Sequence, residues 1–319
     1  MRFIKVLCLA SILISNFLLG KELQRRPELR FGSLQEYRNH QALLNSRKAP
    51  TEQNPVSKSD LGLQRPVETK DKGFGYHFGF ESKIQHSNNP GSSPDSTDLI
   101  DSAGIWENSL SNSFLLGAYD LKGASFSPIL SLALSNAKHF GDDDLAVLDS
   151  SSLNISFVGI FQFANGWSFR SGLNSSFDFD TSLTQTYRQT SPTIGLSKGF
   201  SIGKASAFTD LSLSYYLTDT PFEDDKMNRF ETALLWGIQI PIGDFEISPY
   251  LRLSYASYKE DRGEFTTNTG IDLSYYFYEW LAAKFLLSYS NRSANGQDGE
   301  GKDFSRFDFG GALSLNAQF

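Results

Sequence analysis

From Gly73 to the last residue, apolar side chains recur at every second position in one segment after another, a period that suits strands with two unlike faces and does not suit helices. Phe74, Tyr76, Phe78 and Phe80 open the series, followed by Phe114, Leu116 and Ala118, and by Phe126, Leu130, Leu132 and Leu134. Leu153 to Phe163 and Trp167 to Phe179 continue it. Later members run through Ala207 to Leu217, Phe230 to Ile240, Ile247 to Tyr255, Phe265 to Phe277 and Leu281 to Tyr289. The series closes with Phe307, Phe309, Gly311, Leu313, Leu315, Ala317 and Phe319, set against Asp308, Gly310, Ala312, Ser314, Asn316 and Gln318. Twelve segments result. The sixth, around Ile194 and Leu196, is the weakest, because Pro192 interrupts it and cannot donate to a strand ladder. Averaging each apolar residue against a polar neighbour explains how 27 Phe and 13 Tyr coexist with only 39% hydrophobic residues and a mean hydropathy of −0.31.

The N-terminal part has a different texture. Arg2 and Lys5 precede the apolar run Val6 to Phe17, and Gly20 gives a small residue before Lys21, so residues 1–20 read as a cleaved secretory signal. The run is shorter than the ~20 apolar residues of a spanning helix. The single cysteine, Cys8, lies inside it, which leaves the mature chain without disulfides or thiolate metal sites. Residues 21–71 lack alternation, carry four prolines and hold ten Lys/Arg against seven Asp/Glu, so they read as a basic linker. Within it Ser33 and Glu36 have capping-box spacing, and Leu34, Tyr37 and Leu44 share a face, consistent with one short amphipathic helix. The first reading of the segment is a mostly disordered spacer; the alternative is that the helix docks on a partner or plugs a lumen. With the net charge at −7 and the first 71 residues positive, the remainder is strongly acidic and offers no basic stripe for nucleic acid.

Connections set the expected architecture. Short ones fall near Asp120, at Ala164 to Gly166, and around Ser201, Pro241 and Tyr278. Long ones cover Ser87 to Glu107, Lys138 to Ser151, the stretch around Leu183, Thr218 to Met227, Lys259 to Glu264 and Asn291 to Asp303. Alternation of short turns with long loops, and an even strand count, predict an all-β, closed, antiparallel up-and-down transmembrane barrel over 72–319, with both ends on the short-turn side. The last strand resembles the C-terminal strand of Gram-negative outer-membrane β-barrel proteins, which alternates and typically ends in Phe. In that porin-like group the terminal strand is what the barrel assembly machinery recognises, so the resemblance implies an assembly signal at Phe319, Leu315 and Leu313. It also implies outer-membrane lipid and lipopolysaccharide around the barrel, with N- and C-termini in the periplasm. Two aromatic levels fit this: Trp167, Phe277, Trp280 and Phe319 at the short-turn end, and Tyr215, Tyr255 and Tyr289 toward the loops.

The inward face carries the chemistry. It would hold Arg170, Asp178, Asp210, Arg229, Glu231, Arg252, Asp272, Lys284, Arg306 and Asp308 among small residues. If each hairpin pairs symmetrically, Arg252 meets Asp272 and Glu231, and Lys284 meets Asp272. Such a network either stiffens a filled lumen or forms a charge-selective constriction, with Arg252, Asp272, Lys284, Glu231 and Arg306 as pore-lining candidates. Gly310, Ala312 and Ser314 leave room there, whereas Phe208, Leu235 and Leu286 take it away. The first expectation is a narrow passive channel for small polar solutes or ions. The alternative is a non-conducting structural or adhesive protein acting through its loops and its periplasmic extension, for which residues 21–71 would have a periplasmic partner.

A lipid hydrolase is the minor alternative. "HSN" at His86 to Asn88 superficially resembles the His-x-Ser motif of outer-membrane phospholipase A, but adjacent residues on a strand point to opposite faces. His139 near Asp142 to Asp144 is a loose echo of omptin-like proteases. The acidic runs at Gly141 to Asp144 and Phe222 to Asp225 lack the spacing of a dedicated divalent-cation loop. No phosphate loop, dinucleotide motif or Cys/His cluster occurs, so neither a cofactor nor a metal is expected.

Overall fold

A computed structural model describes residues 74–92, 102–141, 143–219, 228–259, 262–296 and 303–318. The expected signal, the basic linker, the Phe222 to Asp225 run and Phe319 lie outside the described residues. The strands are β1 (Gly75–Ser87), β2 (Ala103–Leu115), β3 (Tyr119–Leu121), β4 (Ala124–Phe140), β5 (Ser150–Phe163), β6 (Trp167–Phe179) and β7 (Gln185–Ile202). They continue as β8 (Ala205–Asp219), β9 (Arg229–Ile242), β10 (Phe245–Tyr258), β11 (Gly263–Tyr278), β12 (Leu281–Asn295) and β13 (Phe304–Gln318). A 3-10 turn, Asp143–Leu148, sits between β4 and β5.

Every neighbour is antiparallel, and the ring is closed. β13 pairs with β1, placing Leu315 beside Phe80 and Leu313 beside Ser82. β2 pairs directly with β4, so the three-residue β3 is only a fold-back on the start of β4 inside the turn. Twelve strands therefore form the wall. A membrane-spanning sheet cannot leave an edge of unpaired backbone groups in hydrocarbon, which is why the last strand is ordered. The seam is tight at Gly310, where a Cβ would lie 2.5 Å from the Cα of Gln85 and against the Ile84 carbonyl.

Side-chain alternation is carried around the wall. Ile84, Leu173, Leu211, Ile271, Phe285 and Leu313 project outward and are exposed, Leu313 at 56%. Ile129 projects inward and is wholly buried at 0%. Both aromatic levels are outward: Phe277 and Trp280 are exposed at the short-turn end, where Trp280 stacks on Tyr278 at 5.2 Å, and Tyr215, Tyr255 and Tyr289 are exposed higher up. Aromatic rings at two heights match the two interfaces of a bilayer.

Two expectations are corrected. The sixth wall strand, β7, is not weak but the longest at 18 residues. It tolerates Pro192 because that residue pairs with Leu173 on β6, while the ladder to β8 lapses between Thr190 and Thr193. One missing N–H interrupts one side of the strand without ending it. Nor are all the outer connections long, although each exceeds the turns on either side of it and the expected alternation holds. β6 runs to Phe179 and β7 starts at Gln185, and β10 runs to Tyr258 with β11 starting at Gly263, so both outer connections are brief. Asp180 explains the first: its Oδ1 accepts hydrogen bonds from the Ser182 and Thr184 backbone N–H groups, each at 2.8 Å.

Candidate functional site

The inner wall is stitched by ion pairs between strands. Lys83 and Glu107, opposite each other on β1 and β2, meet at 2.8 Å. Arg306 on β13 donates from Nε to both oxygens of Asp308, two residues on, at 2.9 and 2.8 Å, and its Nη1 donates to Ser92 Oγ at 3.3 Å. Arg170 on β6 reaches over β7 to Asp210 on β8, with Nη2 donating to Oδ1 at 2.7 Å and Nη1 to Oδ2. This crossing depends on Gly195 of β7, because a Cβ there would stand 2.7 Å from the Arg170 Cζ.

The expected network forms in part and is rearranged in part. Arg252 pairs with Glu231 at 2.7 Å, and Glu231 is buried at 2% exposure. In the ladder, however, Arg252 is level with Leu235 and Asn268, whereas Glu231 is level with Ala256 and Asp272 with Ser248. The guanidinium thus extends toward the long-loop end. Asp272 lies four positions the other way, about 13 Å along the strand, out of reach of an arginine already turned outward. Lys284 also turns away from Asp272: its Nζ donates to Glu81 Oε2 at 2.5 Å, crossing β13 above Ala312 and Ser314. Those small residues leave the room that the lysine side chain crosses.

Sequence reasoning missed the densest polar cluster, at the long-loop end of β7 to β12. Tyr258 donates to Glu264 Oε2 at 2.8 Å, and Arg262 donates to Glu264 Oε1 from Nε at 2.8 Å. The Arg262 guanidinium also lies over the Tyr258 ring, 3.9 Å from its centroid. Arg229 lies over Tyr216 at 4.2 Å and donates to Gln189 Oε1, which also accepts from Tyr187. The inward phase of Tyr187, Tyr216 and Tyr258 was available in the sequence, but their roles as platforms for arginines depend on partners one and two strands away.

Apolar side chains narrow the lumen at two places. Leu115, Ile129, Val158 and Ile160 pack together on the inner face of β2, β4 and β5, and Phe208, Leu235 and Tyr250 do so on β8 to β10. Toward the short turns the lumen widens into a cavity of about 960 Å³, lined by polar groups that include His77, Gln162, Gln239, Glu246, Lys284 and Asn316. Among the described residues no group of three or more His, Cys, Asp or Glu could hold a metal ion. His86 faces outward against Phe309, with ring centroids 5.3 Å apart, while Ser87 is buried on the inner face, so the two do not share a side. His139 Nδ1–H donates to Asp149 Oδ1, 3.3 Å away.

No protein-family model matches the chain. No curated protein matches it either. Among solved structures it is similar to an outer membrane channel from Pseudomonas putida F1, at 12% identity and a TM-score of 0.44 over 76% of this chain and 94% of that chain. It is also similar to the NanC porin, at 10% identity and a TM-score of 0.43 over 74% and 98% of the two chains. A third is the β domain of the Bordetella autotransporter BrkA, at 11% identity and a TM-score of 0.38 over 76% and 99%. On its own geometry the chain is a closed antiparallel β-barrel of twelve wall strands, with an outward apolar belt and a charged inner face.

Proposed function

We propose that the barrel is a narrow passive channel for small polar solutes or ions, with both chain ends on the periplasmic side. The observation that carries this reading is the inner wall, where charges of both signs border a lumen that opens into the 960 Å³ cavity at the short-turn end. A barrel that served only as an anchor would be more stable with an apolar filling, because buried ion pairs contribute little net stability against well-packed hydrophobic residues. On this account Arg252, Glu231, Lys284, Asp272 and Arg306 border the path and set its charge preference. Leu313, Leu315 and Phe319 serve the assembly machinery, and lipid and lipopolysaccharide surround the belt.

The reversal potential across a salt gradient, measured on the refolded chain in a planar bilayer, tests the reading. Arg252→Gln removes a positive charge from the wall and should shift the potential toward cation preference, and Asp272→Asn should shift it the other way. Unchanged potentials in both variants would remove these residues from the path. The second reading, a non-conducting barrel acting through its loops and extension, is favoured by the apolar clusters around Ile129 and Phe208, which take up lumen space.

A further inference from the structure

The lipid-facing surface is not uniform. Between the two aromatic levels, the outward positions of β8 to β11 are apolar residues, a proline and isolated threonines. Such hydroxyls find partners in their own wall, as Thr269 Oγ1 does by donating to the Tyr250 carbonyl at 3.0 Å. The outward positions of β2 are different: Trp106, Asn108, Leu110, Asn112 and Phe114. Trp106 and Phe114 bracket about 27 Å of strand, which at a tilt of about 40° is about 20 Å of height and fits within the ~25 Å apolar band, so two carboxamides stand inside it.

Their surroundings add to the contrast. Asn108 lies level with Ser82 on β1 and Asn136 on β4, which gives a polar row across three strands. Ser82 Oγ accepts from Trp106 Nε1 at 3.0 Å. Asn136 donates to the Ser150 carbonyl and to Ser151 Oγ. Asn112 Oδ1 accepts from the Tyr76 hydroxyl at 2.6 Å. Among the described residues, none bonds the Asn108 carboxamide or the Asn112 amide nitrogen. A carboxamide offers two donors and two acceptor lone pairs, more than one strand can satisfy, and hydrocarbon offers none.

We propose that this face, centred on β2 with β1 and β4 beside it, is the interface of a homodimer in the plane of the membrane. The occupant is a second copy of this chain. A carboxamide is its own complement, because each donates to and accepts from an identical group, so a two-fold arrangement that sets β2 against β2 pairs Asn108 and Asn112 with their counterparts. The inference is independent of whether the lumen conducts.

Disulfide crosslinking in the membrane tests it, using the full chain in a Cys8→Ser background so that the introduced cysteine is unique. Leu110→Cys, between the two asparagines, should give a covalent dimer on mild oxidation, while Leu253→Cys on β10 should not. Adding Asn108→Leu and Asn112→Leu should lower the Leu110→Cys yield about tenfold, the scale of one or two hydrogen bonds within a bilayer. Heat-modifiable gel mobility checks that each variant is a folded barrel, and Asn108→Thr alone replaces the double substitution if that fails to fold. No dimer at position 110, equal dimer at 110 and 253, adducts only with other proteins, or a yield unchanged by the asparagine substitutions would each overturn the proposal.

Discussion

Glu231 shows what a charge costs on this inner wall. It is 2% exposed, pairs with Arg252 through Oε1, and has an Oε2 with no hydrogen-bond partner among the described residues. Removing its charge strands Arg252, so Glu231→Gln should cost about 3 kcal/mol in denaturant unfolding of the lipid-refolded barrel. The double substitution Glu231→Leu with Arg252→Met should regain most of that loss, and a double variant no better than the single would show that the pair itself is stabilising. Gly195 offers a test of a different kind. Gly195→Ala puts a Cβ where the Arg170 guanidinium lies, and should cost about 1 kcal/mol through the weakened bond to Asp210. In an Arg170→Ala background the same substitution should be close to neutral, and equal costs in both backgrounds would contradict the contact.

At the scale of strands, closure is the feature on which the rest depends. Leu313 on β13 is outward, beside Ser82 of β1 across the seam, and is 56% exposed to what must be lipid. Leu313→Arg should therefore destabilise the folded barrel by about 2–4 kcal/mol, read from unfolding in lipid vesicles, whereas an unaffected variant would mean that the seam faces water. The number of wall strands and the outward phase of each were legible in the sequence, because a period of two is a local signal that needs no knowledge of partners. Pro192 misled for the same reason: the residue reads as a break, but only pairing with β6 on the other side reveals a continuous 18-residue strand. The brief turn after β6 was equally hidden, since it depends on Asp180 bonding backbone groups that a sequence pattern does not orient.

For the molecule as a whole, the inward set was legible and its wiring was not. Alternation placed Arg252, Glu231, Asp272, Lys284 and Arg306 inside, and all five belong to inward positions of their strands. Which carboxylate each cation meets depends on side-chain direction over four positions of register, as when Arg252 turns to Glu231 and Lys284 crosses a strand to Glu81. The Arg262, Glu264 and Tyr258 cluster escaped notice because it joins a loop residue to two strand ends. The central claim, that the charged lumen is a path and not a filling, is tested most directly by single-channel conductance of the refolded chain in a planar bilayer, beside Asp272→Asn and Lys284→Ala. The account predicts discrete conductance steps whose ion selectivity moves in the variants. A folded barrel that passes no current in any of the three would contradict it and leave the loops and the N-terminal extension as the working parts.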